Sequence, residues 1–402
     1  MVSDSEHFCE ELKIMKDLTL EDSAYYPYSR VSLDEDSFKD LEESYKSKWH
    51  GAGPICRSFE EKLAKLHGTD DCVVVNSGSM ANLIGLESLS LPRGSTIMVC
   101  AAGFPATVYP VLRLGMVPYF VDADLDTFNI SLGQVEKHID NVDAVFISHL
   151  MGIPLEMSEL KKITRDKLIF EDCCESIDTS YKDKKVGSYG EFGTLSFYPS
   201  HQLNAFGGGG AILTSNKSLA SKARSLRSWG QPTRHPGYHK TDLDQTVGGV
   251  KYDRHYTFVE MGYNAFWPDP NCAYGLRQLD LLEASKKRRQ ENWEILRNEM
   301  RNYPVKLIKE PLGSDCNYFA FPLMVEDNDT RDTLVRNLEE NGIETRLFLG
   351  GNLTKQPVFK DYERDFYVAD TLMKTTLIIG CNPTLKDIHF NRLRRVFSKV
   401  FK

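Results

Sequence analysis

Between about residues 70 and 215, apolar and polar positions alternate in blocks with two different periods. "CVVVN" (72–76) precedes "SMANLIGLESLS", and "STIMVCAA" (95–102) precedes "PATVYPVLRLG". "VPYFVDAD" (117–124) precedes "SLGQVEKHI", "AVFISHL" (144–150) precedes "MSELKKIT", and "KLIFEDCC" (167–174) follows. Short β-branched runs separated by amphipathic stretches of about ten residues predict βαβ units, hence a mostly parallel sheet covered by helices on both faces. Such sheets hold ligands in the loops at the carboxyl ends of their strands. Those loops are "NSGS" (76–79), "AAGF" (101–104), "SHLMG" (148–152), "EDCCES" (171–176) and "SFYPSH" (196–201).

The stretch 228–262 is polar, rich in glycine and histidine, and shows no period, so it reads as a long surface excursion of a functional kind. A helical segment follows near 270–302, and from "VKLIKEP" onward the pattern is that of a smaller α+β domain. The expected division is an N-terminal extension (1–30), a large α/β domain (31–270), and a helix linker with a small C-terminal domain (271–402). At 402 residues, two domains are the default.

Charge narrows the partners. Forty-nine Lys and Arg against 57 Asp and Glu leave a net charge of −8 with no basic cluster, which argues against nucleic acid. No apolar run approaches bilayer-spanning length, and the acidic start "MVSDSEHFCEELKIM" is unlike a signal peptide. Nine scattered cysteines without CxxC spacing suggest a reducing compartment, so a cytoplasmic protein is expected.

Several loops could carry chemistry. "NSGSMANL" (76–83) is a strand end, a tight turn and a first helical turn, which suits a phosphate or is simply a Ser-capped helix. "IFEDCCES" ends an apolar strand with Glu171, Asp172 and Glu175. Carboxylates there need a cation or donors, so a cationic ring nitrogen, a metal or a helix cap would each fit. Phe104 could stack on a flat ring or belong to the core. His235, His239 and His255 are irregularly spaced and read as exposed loop histidines; no metal site is expected.

Taken in order, "NSGSMANL", "YFVDADLDTFNI", "FEDCCES", "GTLSFYPSHQLNAFGGGGAILTSN", "MGYN" and "TRLFLGGNLTKQP" resemble the DegT/DnrJ/EryC1/StrS sugar aminotransferase family over roughly residues 30 to 400. The resemblance implies the fold-type-I architecture of pyridoxal phosphate enzymes, with a mostly parallel seven-stranded sheet between helices. It also implies that Gly78, Ser79 and Ser196 hold the cofactor phosphate, that Phe104 stacks on the ring, and that Asp172 pairs with the pyridine nitrogen. Glu175 would contact the ring's far side or its hydroxyl. Asn264 would reach the phosphate of a partner subunit, so a homodimer with shared sites is implied. The family's arginine two residues after GYN is here Phe266; Arg254, Arg277 or Arg346 could take over substrate binding.

One position departs from the aminotransferase pattern SF-x-P-x-K, whose lysine anchors pyridoxal phosphate covalently. His201 stands there, and no lysine occurs between Lys185 and Lys217. Imidazole cannot form that link, but it can move a proton near neutral pH. This replacement resembles the family's branch of nucleotide-sugar 4-keto-6-deoxyhexose 3-dehydratases, of the GDP-4-keto-6-deoxymannose type. The resemblance implies unattached pyridoxamine phosphate or pyridoxal phosphate, with His201 as base and an amino-acid donor such as L-glutamate. One subtype carries an iron–sulfur cluster after its RxWG-like segment. After "RSWG" (227–230) no cysteine occurs here until Cys272, so the cluster-free subtype is expected. An atypical aminotransferase, or an inactive binding protein on the same fold, are the alternatives.

Overall fold

The blocks of alternating period become a sheet with helices on either side. The computed structural model describes residues 25–34, 36–46, 50–232, 241 and 243–401. Seven strands form the main sheet: β1 (Asp71–Val75), β2 (Thr96–Cys100), β3 (Val117–Val121), β4 (Ala144–Ser148), β5 (Leu168–Asp172), β8 (Phe192–Ser196) and β9 (Gly210–Thr214). A short hairpin of β6 (Ser180–Tyr181) and β7 (Lys184–Lys185) lies between β5 and β8 in the chain. The order is β1-β9-β8-β5-β4-β2-β3, and β9 alone runs against its neighbours. The expected fold-type-I sheet is therefore present, with one reversed strand.

Strand residues project to alternate faces, so each strand feeds two apolar layers. On β1, Val73 and Val75 join the largest cluster while Cys72 and Val74 join the layer on the other face. On β4, Ala144 and Phe146 face one way and Val145 and Ile147 the other. That two-sided burial explains why these strands read as continuous apolar runs.

The helical segment expected near 270–302 is two helices, Asp269–Asp280 and Leu282–Met300. In the 228–262 stretch, "QTVGGVKY" forms a hairpin of β10 (Gln245–Val247) and β11 (Val250–Tyr252). Its Gly248-Gly249 turn, both at positive φ, is a two-residue hairpin signal that the polar composition hid. His235 and His239 lie outside the described residues. The C-terminal part adds β12 (Ser314–Asp315), paired with β6, and a three-stranded antiparallel sheet of β13 (Ala320–Met324), β15 (Thr376–Gly380) and β14 (Thr345–Leu347). Among the described residues, no helix is long and apolar enough to cross a membrane.

Of the expected N-terminal extension, residues 1–24 lie outside the described residues. Tyr26 and Tyr28 are buried. Tyr26 pairs through its backbone with Gly342 and Glu344, and its hydroxyl donates to the Gly380 carbonyl at 2.8 Å. This short arm thus joins the C-terminal sheet and reaches the site described below.

One buried ion pair ties the edge of the main sheet to two helices. Glu60, on the helix Pro54–His67, accepts from Arg227 at 2.6 Å and from the Val74 amide at 2.9 Å. Arg227 ends the helix Lys217–Arg227 and is fully buried. Removing one partner strands the other's charge in a low-dielectric interior. Glu60→Ala is expected to destabilise the fold by roughly 3–5 kcal/mol, read from urea unfolding. A loss below about 1 kcal/mol would show that Arg227 finds another partner.

Candidate active site

The carboxyl ends of the parallel strands surround a cavity of about 650 Å³. Its wall includes Gly78, Ser79, Phe104, Asp172, Glu175, Ser196, His201 and Arg346. Eight of the residues singled out from the sequence therefore meet in one place.

The floor is set by period-two alternation at the end of β5. Asp172 faces the cavity. Its Oδ2 accepts from Thr107 Oγ1 at 2.7 Å and Asn82 Nδ2 at 2.9 Å, and its Oδ1 accepts from the Cys174 amide at 3.1 Å. Glu171 is also fully buried but accepts from the Gly187 and Gly190 amides, both at 2.8 Å, and from the Tyr189 amide. His149 Nδ1 accepts from the Leu155 amide at 3.0 Å, so its hydrogen is on Nε2, which donates to Glu171 at 3.1 Å. Burial opposes ionisation of Glu171, but His149 and these amides outweigh it and hold the carboxyl below its usual range. Cys173 completes a cluster of metal-ligand types with these two, yet both His149 nitrogens are engaged in hydrogen bonds.

At the phosphate end, Ser77 caps the helix Gly78–Ser88 by accepting from the Met80 amide at 3.2 Å. The Ser79 amide has no acceptor among the described residues, as expected for a first helical turn, while the Gly78 amide takes part in the backbone bridge between Ser77 and Gly209. Gly78 permits close approach: a Cβ there would lie 2.7 Å from Ser196 Cβ and 2.9 Å from Cys174 Sγ. A Cβ on Gly210 would lie 2.4 Å from the Ser77 carbonyl, so the glycine run lets β9 pass directly beside this turn. Phe104 is 55 % exposed and stands free over the cavity.

His201 follows β8 in a turn closed by its amide donating to the Tyr198 carbonyl at 2.9 Å. Its ring packs 5.2 Å from Phe319, and its buried Nδ1 has no hydrogen-bond partner. Burial pulls its pKa down to about 4, Asp172 opposing and Arg289 reinforcing, so the imidazole is neutral at pH 7. Glu175 accepts from the Met151 amide at 2.8 Å, and burial, aided by Asp172, pushes its carboxyl up to about 7. The Cys174 thiol is pushed up by burial and by Asp172, so it stays protonated.

Not every expected residue lines the cavity. Arg254 pairs with Asp244, and Arg277 with Asp34, so both cations are committed elsewhere. Asn264 is exposed and bridged through its backbone to Ser228, outside this chain's cavity wall. His255 pairs with Asp253 at 2.6 Å. Phe266 packs its ring 5.2 Å from the buried Arg227 guanidinium. Sequence reasoning missed Asn82 and Thr107, which brace Asp172, and Tyr28, which lines the cavity. Asn82 could have been found, since it lies one helical turn from Gly78 and shares its face.

These residues fit pyridoxal phosphate or its amine form. A cradle at Gly78 excludes any side chain, the unpaired Ser79 amide stands at a helix start, a free aromatic stands over the cavity, and a braced carboxylate forms its floor. No lysine is among the residues lining this cavity.

Fold and site together define the class of fold-type-I pyridoxal phosphate enzymes. The chain belongs to the DegT/DnrJ/EryC1/StrS aminotransferase family, whose model matches residues 31–400. It is 32% identical over 379 residues to the lipopolysaccharide biosynthesis protein RfbH of Salmonella typhimurium, covering 88% of this chain and 86% of that protein. It is 32% identical over 385 residues to dTDP-4-dehydro-2,6-dideoxy-D-glucose 3-dehydratase of Saccharopolyspora spinosa, covering 89% and 83%. Among solved structures, the E. coli GDP-4-keto-6-deoxy-D-mannose-3-dehydratase with bound hydrated PLP aligns with a TM-score of 0.83 at 27% identity, covering 92% of this chain and 99% of that one.

Glu175 makes stability depend on pH. An unfolded chain releases that proton near pH 4.5, whereas the folded protein keeps it to about pH 7. The folded state therefore binds more protons in this window, and stability falls as pH rises through it. Glu175→Gln should abolish that fall, gaining on the order of 3 kcal/mol over the parent above pH 7 in urea unfolding of the cofactor-free protein. Parallel pH profiles for the two proteins would show that the carboxyl titrates normally.

Proposed function

We propose that the protein removes the C-3 hydroxyl of a nucleotide-linked 4-keto-6-deoxyhexose, using unattached pyridoxamine phosphate that an amino-acid donor such as L-glutamate regenerates. The observation that carries this reading is the cavity itself: a neutral imidazole at the turn after β8 and no lysine on the wall. The relatives named as 3-dehydratases support it, as does the E. coli 3-dehydratase solved with bound hydrated PLP. We further propose a homodimer in which Asn264 completes the partner's site, and a cytoplasmic location.

When bound, the cofactor supplies an amine that condenses with a ketone and a ring that withdraws electrons. The Ser79 amide beside Gly78, with the hydroxyls of Ser79 and Ser196, holds its phosphate. Phe104 covers the ring, and Asp172, fixed by Asn82 and Thr107, keeps positive charge on the ring nitrogen. His201 is neutral at working pH, so a ring nitrogen is free to take a proton from carbon and later return it. Glu175 keeps its proton to about pH 7 and so offers a hydrogen bond to an oxygen on the ring's far side. Arg346 lines the mouth, where an anionic part of the substrate would meet it.

An aminotransferase in which histidine carries the proton predicts an amino sugar instead. Mass spectrometry of products from candidate nucleotide ketosugars is expected to show a 3-deoxy ketone; an amino sugar overturns the reading. His201→Lys is expected to attach pyridoxal phosphate covalently, seen as a mass adduct after borohydride reduction, and to lose dehydration by roughly 100-fold or more. Undiminished dehydration in that variant would show that the imidazole is not the base. Gly78→Ala should weaken pyridoxal phosphate binding at least about tenfold by absorbance titration, because the new methyl meets Ser196 and Cys174. Unchanged affinity would place the phosphate elsewhere.

A further inference from the structure

Tyr28 enters the cavity wall from the short N-terminal arm, far in sequence from every other lining residue. Its surroundings fix the ring and leave the hydroxyl unused. The Tyr28 amide donates to Glu344 Oε2 at 2.9 Å, and the preceding Pro27 carbonyl accepts from Asn382 at 2.7 Å. On the other side, Ser29 Oγ donates to the Ser200 carbonyl at 2.8 Å, immediately before His201. The Arg346 guanidinium lies 5.0 Å from the Tyr28 ring centre, itself held by Glu344 at 2.6 Å. Phe319 packs edge-on against Tyr28 at 6.0 Å and tilted against His201 at 5.2 Å, so the two rings flank one core residue.

Most other polar groups of the wall are already engaged. Thr107 serves Asp172, Ser77 caps its helix, and His149 is held at both nitrogens. The Tyr28 hydroxyl has no hydrogen-bond partner among the described residues, although the residue is 8 % exposed. A rigid aromatic with one unspent donor on a cavity wall is built to contact a polar ligand. Burial foremost, then Glu175, raises its pKa, so the phenol keeps its proton.

We propose that Tyr28 recognises the hexose: its hydroxyl hydrogen-bonds an oxygen of the sugar ring or its substituents while the nucleotide lies outside its reach. This rests on the nucleotide-sugar reading above. The arm thereby couples recognition to catalysis, because Ser29, the residue after Tyr28, clasps the turn that carries His201.

The test is calorimetric titration of the full-length protein with GDP-mannose, dTDP-glucose and CDP-glucose, each beside its free nucleoside diphosphate. At least one parent sugar nucleotide should bind more tightly than its bare diphosphate. Tyr28→Phe keeps the ring and its packing; it should weaken that sugar nucleotide roughly 3- to 10-fold and leave the diphosphate and the ligand-free melting temperature unchanged. Equal weakening of both ligands, or of neither, overturns the role for Tyr28 while leaving the nucleotide-sugar reading intact. If the parent binds none of the six, the functional reading fails and this proposal with it.

Discussion

A carboxylate buried at the end of a parallel strand is the constraint around which this site is organised. Asp172 is largely withdrawn from water, and three donors from three different elements supply much of what water would. Asn82 comes from the helix after β1, Thr107 from the loop after β2, and the Cys174 amide from β5's own continuation. Fixing that one group fixes the mutual position of the loops that carry Gly78, Phe104 and Glu175. The phosphate cradle and the stacking aromatic are placed by the same bonds that keep the floor charge in position.

The architecture was legible because two-sided strands have nowhere to hide polar residues. Each run such as "TIMVC" or "AVFIS" had to be apolar throughout, and each intervening stretch had to show a helical face. The loops at the strand ends followed from topology, and most of the expected site residues do meet there. What stayed hidden depends on contacts distant in the chain. Nothing in "YYPYSR" marks Tyr28 as a wall residue, since its place is set by Glu344, Asn382 and Ser200. Arg254 and Arg277 look like free cations in the sequence; only the fold brings Asp244 and Asp34 to them.

The turn bearing His201 shows how an exchange of one side chain is accommodated without rebuilding its support. Its backbone is closed by Tyr198, clasped by Ser29, and backed by Gln202, which donates to the Asn317 carbonyl at 2.8 Å. None of these contacts involves the imidazole. The scaffold therefore presents whatever residue stands at 201, and the chemistry available follows from that residue's functional group.

The opposed duties of Glu171 and Asp172 carry a consequence for how this protein can change over time. Neighbours on a strand face opposite sides, so a one-residue insertion or deletion upstream in β5 would swap the two acids. The cavity would then receive a side chain that ought to fasten the Gly187–Gly190 loop, and that loop would lose its anchor. Length variation along this strand is closed to evolution. Divergence here must proceed by replacing residues in place.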